Sequence, residues 1–213
     1  MSATAIAGVE VPGSPLARDL TTLLRDSATD LIYHHSRRVF LWGSLRGRRR
    51  GLTYDPELLY AGAICHDLGL TGRFAESRQR FELDGADEAR RVLLDHGVPP
   101  ERADLVWQGI ALHTTPEVPW RMAPEVALVT AGVELDVLGF GYDEITEDER
   151  AEVTAAHPRP DFKREILKAF TEGMAHRPDS TFGTVNADVL AHFVPGFRRG
   201  DFVETILASK WPA

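Results

Sequence analysis

Apolar positions recur at helical spacing along the chain, and alternating strand patterns bounded by hairpin signals are almost missing. The expectation is an all-α fold, one compact helical bundle. Ser14 followed by Pro15 reads as a helix start, because a Ser side chain satisfies a free N–H of the first turn and Pro carries no such N–H. That helix turns Leu20, Leu23 and Leu24 inward. Asp55, Pro56 and Glu57 repeat the start signal, and Gly69 supplies a stop. Phe81 to His96, ended by Gly97, is a further amphipathic segment, and Pro99-Pro100-Glu101 opens one that runs to His113. Pro124 to Leu138 follows, closed by Gly139. Thr146 and Glu149 make a capping-box pair ahead of Arg150 to Ala156. Asp161 to Ala175 is helical again, and Val185 to Phe193 and Phe202 to Ser209 are short helices around a Pro/Gly-containing turn. No internal repeat, low-complexity block or interdomain linker interrupts this series. Residues 1–13 therefore read as a flexible N-terminal segment and residues 14–213 as one domain.

Composition and charge narrow the picture further. A chain of 213 residues, 43% of them hydrophobic, is long enough for one sizeable core. A formal net charge of -8 argues against nucleic acid or an anionic membrane as the main partner, since both reward a basic surface. A small-molecule partner is expected instead. The one dense basic run, "LRGRRRG" from Leu45 to Gly51, reads as a solvated loop between two helices, with a phosphate or acidic-ligand patch as the alternative. The single cysteine, Cys65, excludes an intramolecular disulfide framework and a multi-cysteine zinc cage, and it reads as a small buried hydrophobe. The opening "MSATAIAGVEVPGS" lacks a basic start and a sustained apolar core, and no segment approaches the roughly 20 apolar residues that span a bilayer. A cytoplasmic location is expected.

The candidate chemistry begins with "AGAICHDLGL", Ala61 to Leu70, which sets His66 beside Asp67 in a run that otherwise reads as buried helix. Burying either side chain is costly unless something pairs with it. Adjacent helical side chains point about 100° apart, so both reach one object only if it lies over the face between them. A divalent cation is such an object, accepting an imidazole nitrogen and neutralising the carboxylate. Two ligands do not hold it alone. His35 in "YHHSRRVF" and Asp136 in "GVELDVLG" each sit on an apolar-patterned helix and complete a set of two histidines and two carboxylates. Arg38, three residues after His35, shares its helical face and reads as an ion-pair partner for a carboxylate near the metal. His34, His96, His157, His176 and His192 have no ligand spacing of their own and read as surface or core structure.

The order His35, His66-Asp67, Asp136 resembles the H…HD…D signature of HD-domain metal-dependent hydrolases, with "HSRRV" and "AGAICHDLG" similar to that family's wording. The resemblance implies an HD-domain bundle over residues 14–213, in which these four residues bind one divalent metal. Zinc leads, and iron(II) or manganese(II) suit the same ligand types. A narrower similarity, carried by "HSRRVFLWG", "CHDLGLT", "RFELDGADEARRVL", "GIALHTT", "VTAGVELDVLG", "FKREILKAF" and "MAHRPDSTFGTV", points to the cyanamide hydratase-like branch. The dinuclear HD phosphohydrolases also resemble this chain, through "ALHTT", but use two further histidines for a second metal. His113 matches one of them, while the other falls near Glu82 to Gly85, where this chain has Glu82 and Asp84.

On this resemblance the site is mononuclear, with His113 and Glu82 freed for proton transfer or substrate contact. A divalent cation lowers the pKa of bound water from ~15.7 towards about 7, so the implied activity is attack by hydroxide on a small C≡N or amide-like carbon. His113 donates a proton to the developing nitrogen anion, and Glu82 orients the water or holds the substrate. Two other readings stay open: a phosphohydrolase of nucleotides or phosphate monoesters, which needs cationic groups around its anion, and a non-catalytic ligand-binding HD module. The resemblance also implies self-association into a homo-oligomer.

Overall fold

The computed structural model describes residues 5–211. Its fold is all-α, built around one helix that is apolar on every side. This helix, α3 (Pro56–Cys65), buries every residue from Leu58 to Cys65. A helix that is hydrophobic all round belongs in the interior. Its start is set as the sequence predicts: the Asp55 carboxylate accepts from the N–H groups of Glu57 and Leu58, and Pro56 occupies the first turn. Around α3 stand α1 (Pro15–Ser27), α2 (Asp30–Arg49), α5 (Pro100–Leu112) and α6 (Pro124–Val133), while α4 (Phe81–Asp95) lies on α5 and the end of α3. Leu20 and Leu24 of α1 are fully buried and Leu23 partly so. Each fully buried Leu contributes about 1.5–3 kcal/mol relative to exposure.

The remaining helices are α7 (Glu147–Ala156), α8 (Phe162–Met174), α9 (Asn186–Phe193) and α10 (Phe202–Leu207). Helix α8 lies against α2 and the short turn Leu68–Leu70 that follows α3, and α9 lies on α8. These two helices therefore close the side of the bundle where the His66-Asp67 pair emerges. Thr146 and Glu149 form the expected capping box, but α7 starts at once, at Glu147. Among the described residues, no helix is long and apolar enough to cross a membrane.

Three sequence expectations are corrected. The run from Leu45 to Gly51 is not a solvated loop: α2 continues to Arg49, and Leu45, Arg46 and Gly47 are buried. The Arg46 guanidinium donates to the Ala131 carbonyl and the Glu144 carboxylate and stacks over Trp120, while Arg49 pairs with Glu149. Arg46, Arg49 and Arg50 are thus paired within the molecule, while Arg48 is exposed. The described part of the segment read as flexible holds a small hairpin, Ala5–Ile6 paired with Val9–Glu10, with Ile6 and Val9 buried against the helices. Its turn residues Ala7 and Gly8 both have positive φ, the two-residue geometry that matches strand twist. Finally, α6 does not run straight to Leu138. It widens into a π-turn over Glu134–Leu138, ended by Gly139 at φ 76°, and this turn carries Asp136 inward.

Helices α2 and α6 meet backbone to backbone. A Cβ at Gly132 would lie 2.2 Å from the Val39 carbonyl oxygen, and one at Gly43 would lie 2.5 Å from that of Leu128. No side chain fits. This approach matters because α2 carries His35 and α6 leads to Asp136. Gly132→Ala should therefore cost about 1–3 kcal/mol through overpacking, even against the helix propensity gained. Urea unfolding should show a lower midpoint with unchanged slope, whereas Gly72→Ala, where a Cβ meets nothing within 4 Å, should shift stability by less than about 0.5 kcal/mol.

Candidate metal centre

Three imidazoles converge because each has its Nδ1–H fixed elsewhere. His66 follows the last residue of α3 and donates Nδ1–H to the Ala63 carbonyl at 2.8 Å. His113 follows the last residue of α5 and donates to the Ile110 carbonyl at 2.6 Å. His35, inside α2, donates to Asp136 Oδ2 at 2.7 Å. Each ring therefore turns Nε2 towards Asp67. His35 Nε2 lies 3.1 Å from His66 Nε2 and 3.4 Å from Asp67 Oδ2, and His66 Nε2 lies 3.2 Å from the same oxygen. His113 Nε2 is 3.6 Å from Asp67 Oδ1.

All four side chains are buried, and both Asp67 oxygens and His113 Nε2 have no hydrogen-bond partner. Inward lone pairs beside an unpartnered carboxylate repel one another unless positive charge sits among them. Donor atoms about 2.1 Å from a cation are about 3.0–3.4 Å apart in octahedral or tetrahedral arrangements, which is the spacing of His35, His66 and Asp67 here. These residues fit a divalent ion. Burial opposes charge at His66, but Asp67 beside it raises its pKa. Burial likewise opposes ionisation of Asp67, yet His66, His113 and His35 hold its carboxyl well below the ordinary range.

Asp136, expected as the fourth ligand, does not face this group in the structure. Its Oδ2 faces His35 Nδ1, on the side of the ring away from Asp67. Arg38 grips both carboxylate oxygens at 2.9 Å each, and Trp42 Nε1 donates to Oδ1 at 2.8 Å. Against the cost of burial, the His35 and Arg38 bonds hold the Asp136 carboxyl far below its usual range. Asp136 thus orients His35 rather than facing the cluster. Arg38 is the ion-pair partner that its position on the His35 face suggests. Trp42, seven residues after His35, and Arg159, which also lies against Asp136, were missed; for Trp42 the helical spacing was the available signal.

Glu82 sits at the start of α4 with its carboxylate taken: Arg80, Thr114 Oγ1 and Asn186 Nδ2 all donate to it. The chain reaches this place by close backbone contact, for a Cβ at Gly69 would lie 2.0 Å from the Phe81 carbonyl oxygen. Asp84 is taken as well, by Arg177, Ser77 and Gln79. Arg177 also donates to the Gly69 and Gly173 carbonyls, tying the turn after Asp67 to α8. Nothing in the sequence spacing announces that link. Cys65 is buried, which pushes its thiol up to about 12 and removes it as a nucleophile near neutral pH.

A cavity of about 490 Å³ opens on the cluster, with His35, Asp67 and His113 in its wall. Its other walls are mostly apolar: Val133, Val137, Leu138 and Phe140 from α6 and its π-turn, Phe162, Ile166, Leu167 and Phe170 from α8, and Val185 and Val189 around α9. Thr114, Thr115 and Asn186 supply polar groups near His113, and Lys163 is the one Lys or Arg lining it among the described residues.

The HD domain family profile matches residues 32–138, from the first turn of α2 to the end of the π-turn, and so covers every cluster residue together with Asp136. No curated protein shows significant similarity to the chain. Half of the chain, including its three converging metal-type ligands, carries the family pattern, and the protein belongs to the HD domain family, whose members are mostly metal-dependent hydrolases.

Proposed function

We propose that the protein is a cyanamide hydratase-like hydrolase or hydratase with one divalent metal, zinc first, that adds water to a C≡N or amide-like carbon of a small molecule. The observation that carries this reading is the opening of an almost cation-free cavity onto His35 and Asp67, two members of the buried His35, His66 and Asp67 donor group. A divalent cation held by those donors supplies Lewis acidity and a water of lowered pKa. Net addition to a nitrile forms a C–O bond, opens one C–N π bond and places a proton on nitrogen; the imidic acid then tautomerises to the amide. No leaving group or redox step is needed.

The chain's own groups have distinct parts in this. His113, with Nδ1–H fixed on Ile110 and its Nε2 lone pair unpartnered, takes a proton from the attacking water and passes it to the substrate nitrogen. Glu82 acts at one remove, fixing Thr114 and Asn186 where both face the cavity. Asp136 holds the His35 ring so that Nε2 faces Asp67. A phosphate substrate finds little to bind: Arg38 is committed to Asp136 and Arg80 to Glu82, which leaves Lys163 in the cavity wall.

Elemental analysis of protein purified without chelators should find about one divalent metal per chain, absent from His66→Ala and Asp67→Ala. Asp136→Asn should keep the metal but bind it about 10–100-fold more weakly, as for a residue that orients a ligand. Loss as complete as in Asp67→Ala would instead make Asp136 a ligand. Chelation should abolish hydration of cyanamide and simple nitriles, and His113→Ala should lower kcat by about 10²–10⁴ with metal content unchanged. Phosphate release from nucleotides, with no turnover of nitriles or amides, would overturn the proposal.

A further inference from the structure

The cavity beside the cluster is far larger than the smallest substrates of this chemistry need. Cyanamide has three heavy atoms, and its volume compares with about two waters at ~30 Å³ each. The cavity holds about 490 Å³, within the ~300–1,000 Å³ typical of sites for drug-sized ligands. Its lining is also wrong for a small hydrophilic guest. A polar molecule would trade water for Val137, Ile166 and Val189 with nothing to hydrogen-bond along most of its length.

The apolar wall connects to the candidate reacting groups through aromatic rings. Phe162 packs on the His35 ring, centroids 5.3 Å apart, and is backed by the guanidinium groups of Arg38 and Arg159 at 5.0 and 4.4 Å from its centroid. Behind the lining, the buried Phe81 stands edge-on to both His113 and Phe170, with centroids 5.6 and 5.9 Å apart. Rings fixed in this way form walls that do not collapse into the space between them. Thr114 and Asn186 flank His113 through their shared bonds to Glu82, and beyond them Thr115, Glu134 and Lys163 are the further polar side chains in an otherwise apolar wall. The cavity is therefore largely apolar, with hydrogen-bonding groups beside His113.

Resting on the function proposed above, we infer that the substrate is not a bare cyanamide-like molecule but one with an apolar body, aryl or branched alkyl, of about ten heavy atoms. Its C≡N or amide head lies at the His113 and Thr114 end, and its body runs along Phe162 and Phe170. Leu167 and Val189 then set specificity for the body without touching the reacting atoms.

Calorimetric titration of the metal-loaded protein with 3-phenylpropionitrile, acetonitrile and cyanamide tests this. The expected result is binding of 3-phenylpropionitrile at least 100-fold tighter than acetonitrile, with a negative heat-capacity change. Leu167→Glu, at an exposed position of α8 where a charge does not threaten the fold, should weaken 3-phenylpropionitrile at least 10-fold more than it weakens acetonitrile. Equal affinities for the three ligands, or 3-phenylpropionitrile binding indifferent to Leu167→Glu, would sink the inference. Turnover separates it from the underlying reading. Tight, Leu167-dependent binding of 3-phenylpropionitrile without hydration upholds the apolar-body pocket and refutes C≡N chemistry; hydration of cyanamide with no gain from an apolar body does the reverse.

Discussion

The site depends on where three imidazole rings send their Nδ1 protons. A neutral imidazole offers one lone pair and one N–H, so fixing the N–H fixes the direction of the lone pair. His66 and His113 meet this requirement cheaply, because each follows the last residue of a helix. There the last carbonyls have no intrahelical partner, and Ala63 and Ile110, each three residues back, accept the ring proton. His35 lies in the middle of α2, where backbone carbonyls are already engaged in the helix ladder. It needs an acceptor from elsewhere, and Asp136 is that acceptor.

This difference explains the polar group buried around Asp136. A carboxylate placed behind His35 in the core costs several kcal/mol of desolvation unless it is fully paired. Arg38 and Trp42, on the His35 face of α2, supply three donors, and the remaining Arg38 nitrogen is satisfied by the His157 and Pro158 carbonyls. The π-turn after α6 is what brings Asp136 into reach, and the close α2–α6 crossing at Gly43 and Gly132 holds its distance. A widened helical turn at a functional position is a recurring use of this otherwise rare geometry. The metal-type ligands are thus positioned from outside inward, by groups that do not face the cluster themselves.

What was legible in the sequence was local. The helix starts at Ser14-Pro15 and Asp55-Pro56, the capping box at Thr146 and the buried His66-Asp67 pair are each decided within a few residues, and the structure has each helix where those signals put it. What was not legible depended on distant partners. The charges of Arg46 and Arg49 look solvated until Glu144, Glu149 and Trp120, some 70 to 100 residues away, are folded against them. Asp136 has the right residue type for a ligand, but type alone does not say on which side of His35 it lies. The cavity was hidden for another reason: Phe162 and Ile166 line open space yet carry the same helical spacing as residues that fill a core.

The fate of the acidic residues at the start of α4 bears on metal number. Members of the family with a second ion place a further histidine near this position; here Glu82 and Asp84 stand in that region, and carboxylates also bind divalent ions. Residue type alone would therefore permit a second ion. Pairing argues against it. Glu82 accepts from Arg80, Thr114 and Asn186, and Asp84 from Arg177, Ser77 and Gln79, so a cation there would have to displace two guanidinium groups that are themselves positive. The same bonds give these residues another use. Arg177 ties the turn after Asp67 to α8, and Glu82 ties Thr114 and Asn186 in the cavity wall to α4, so these carboxylates fix the space in front of the His35, His66 and Asp67 donors.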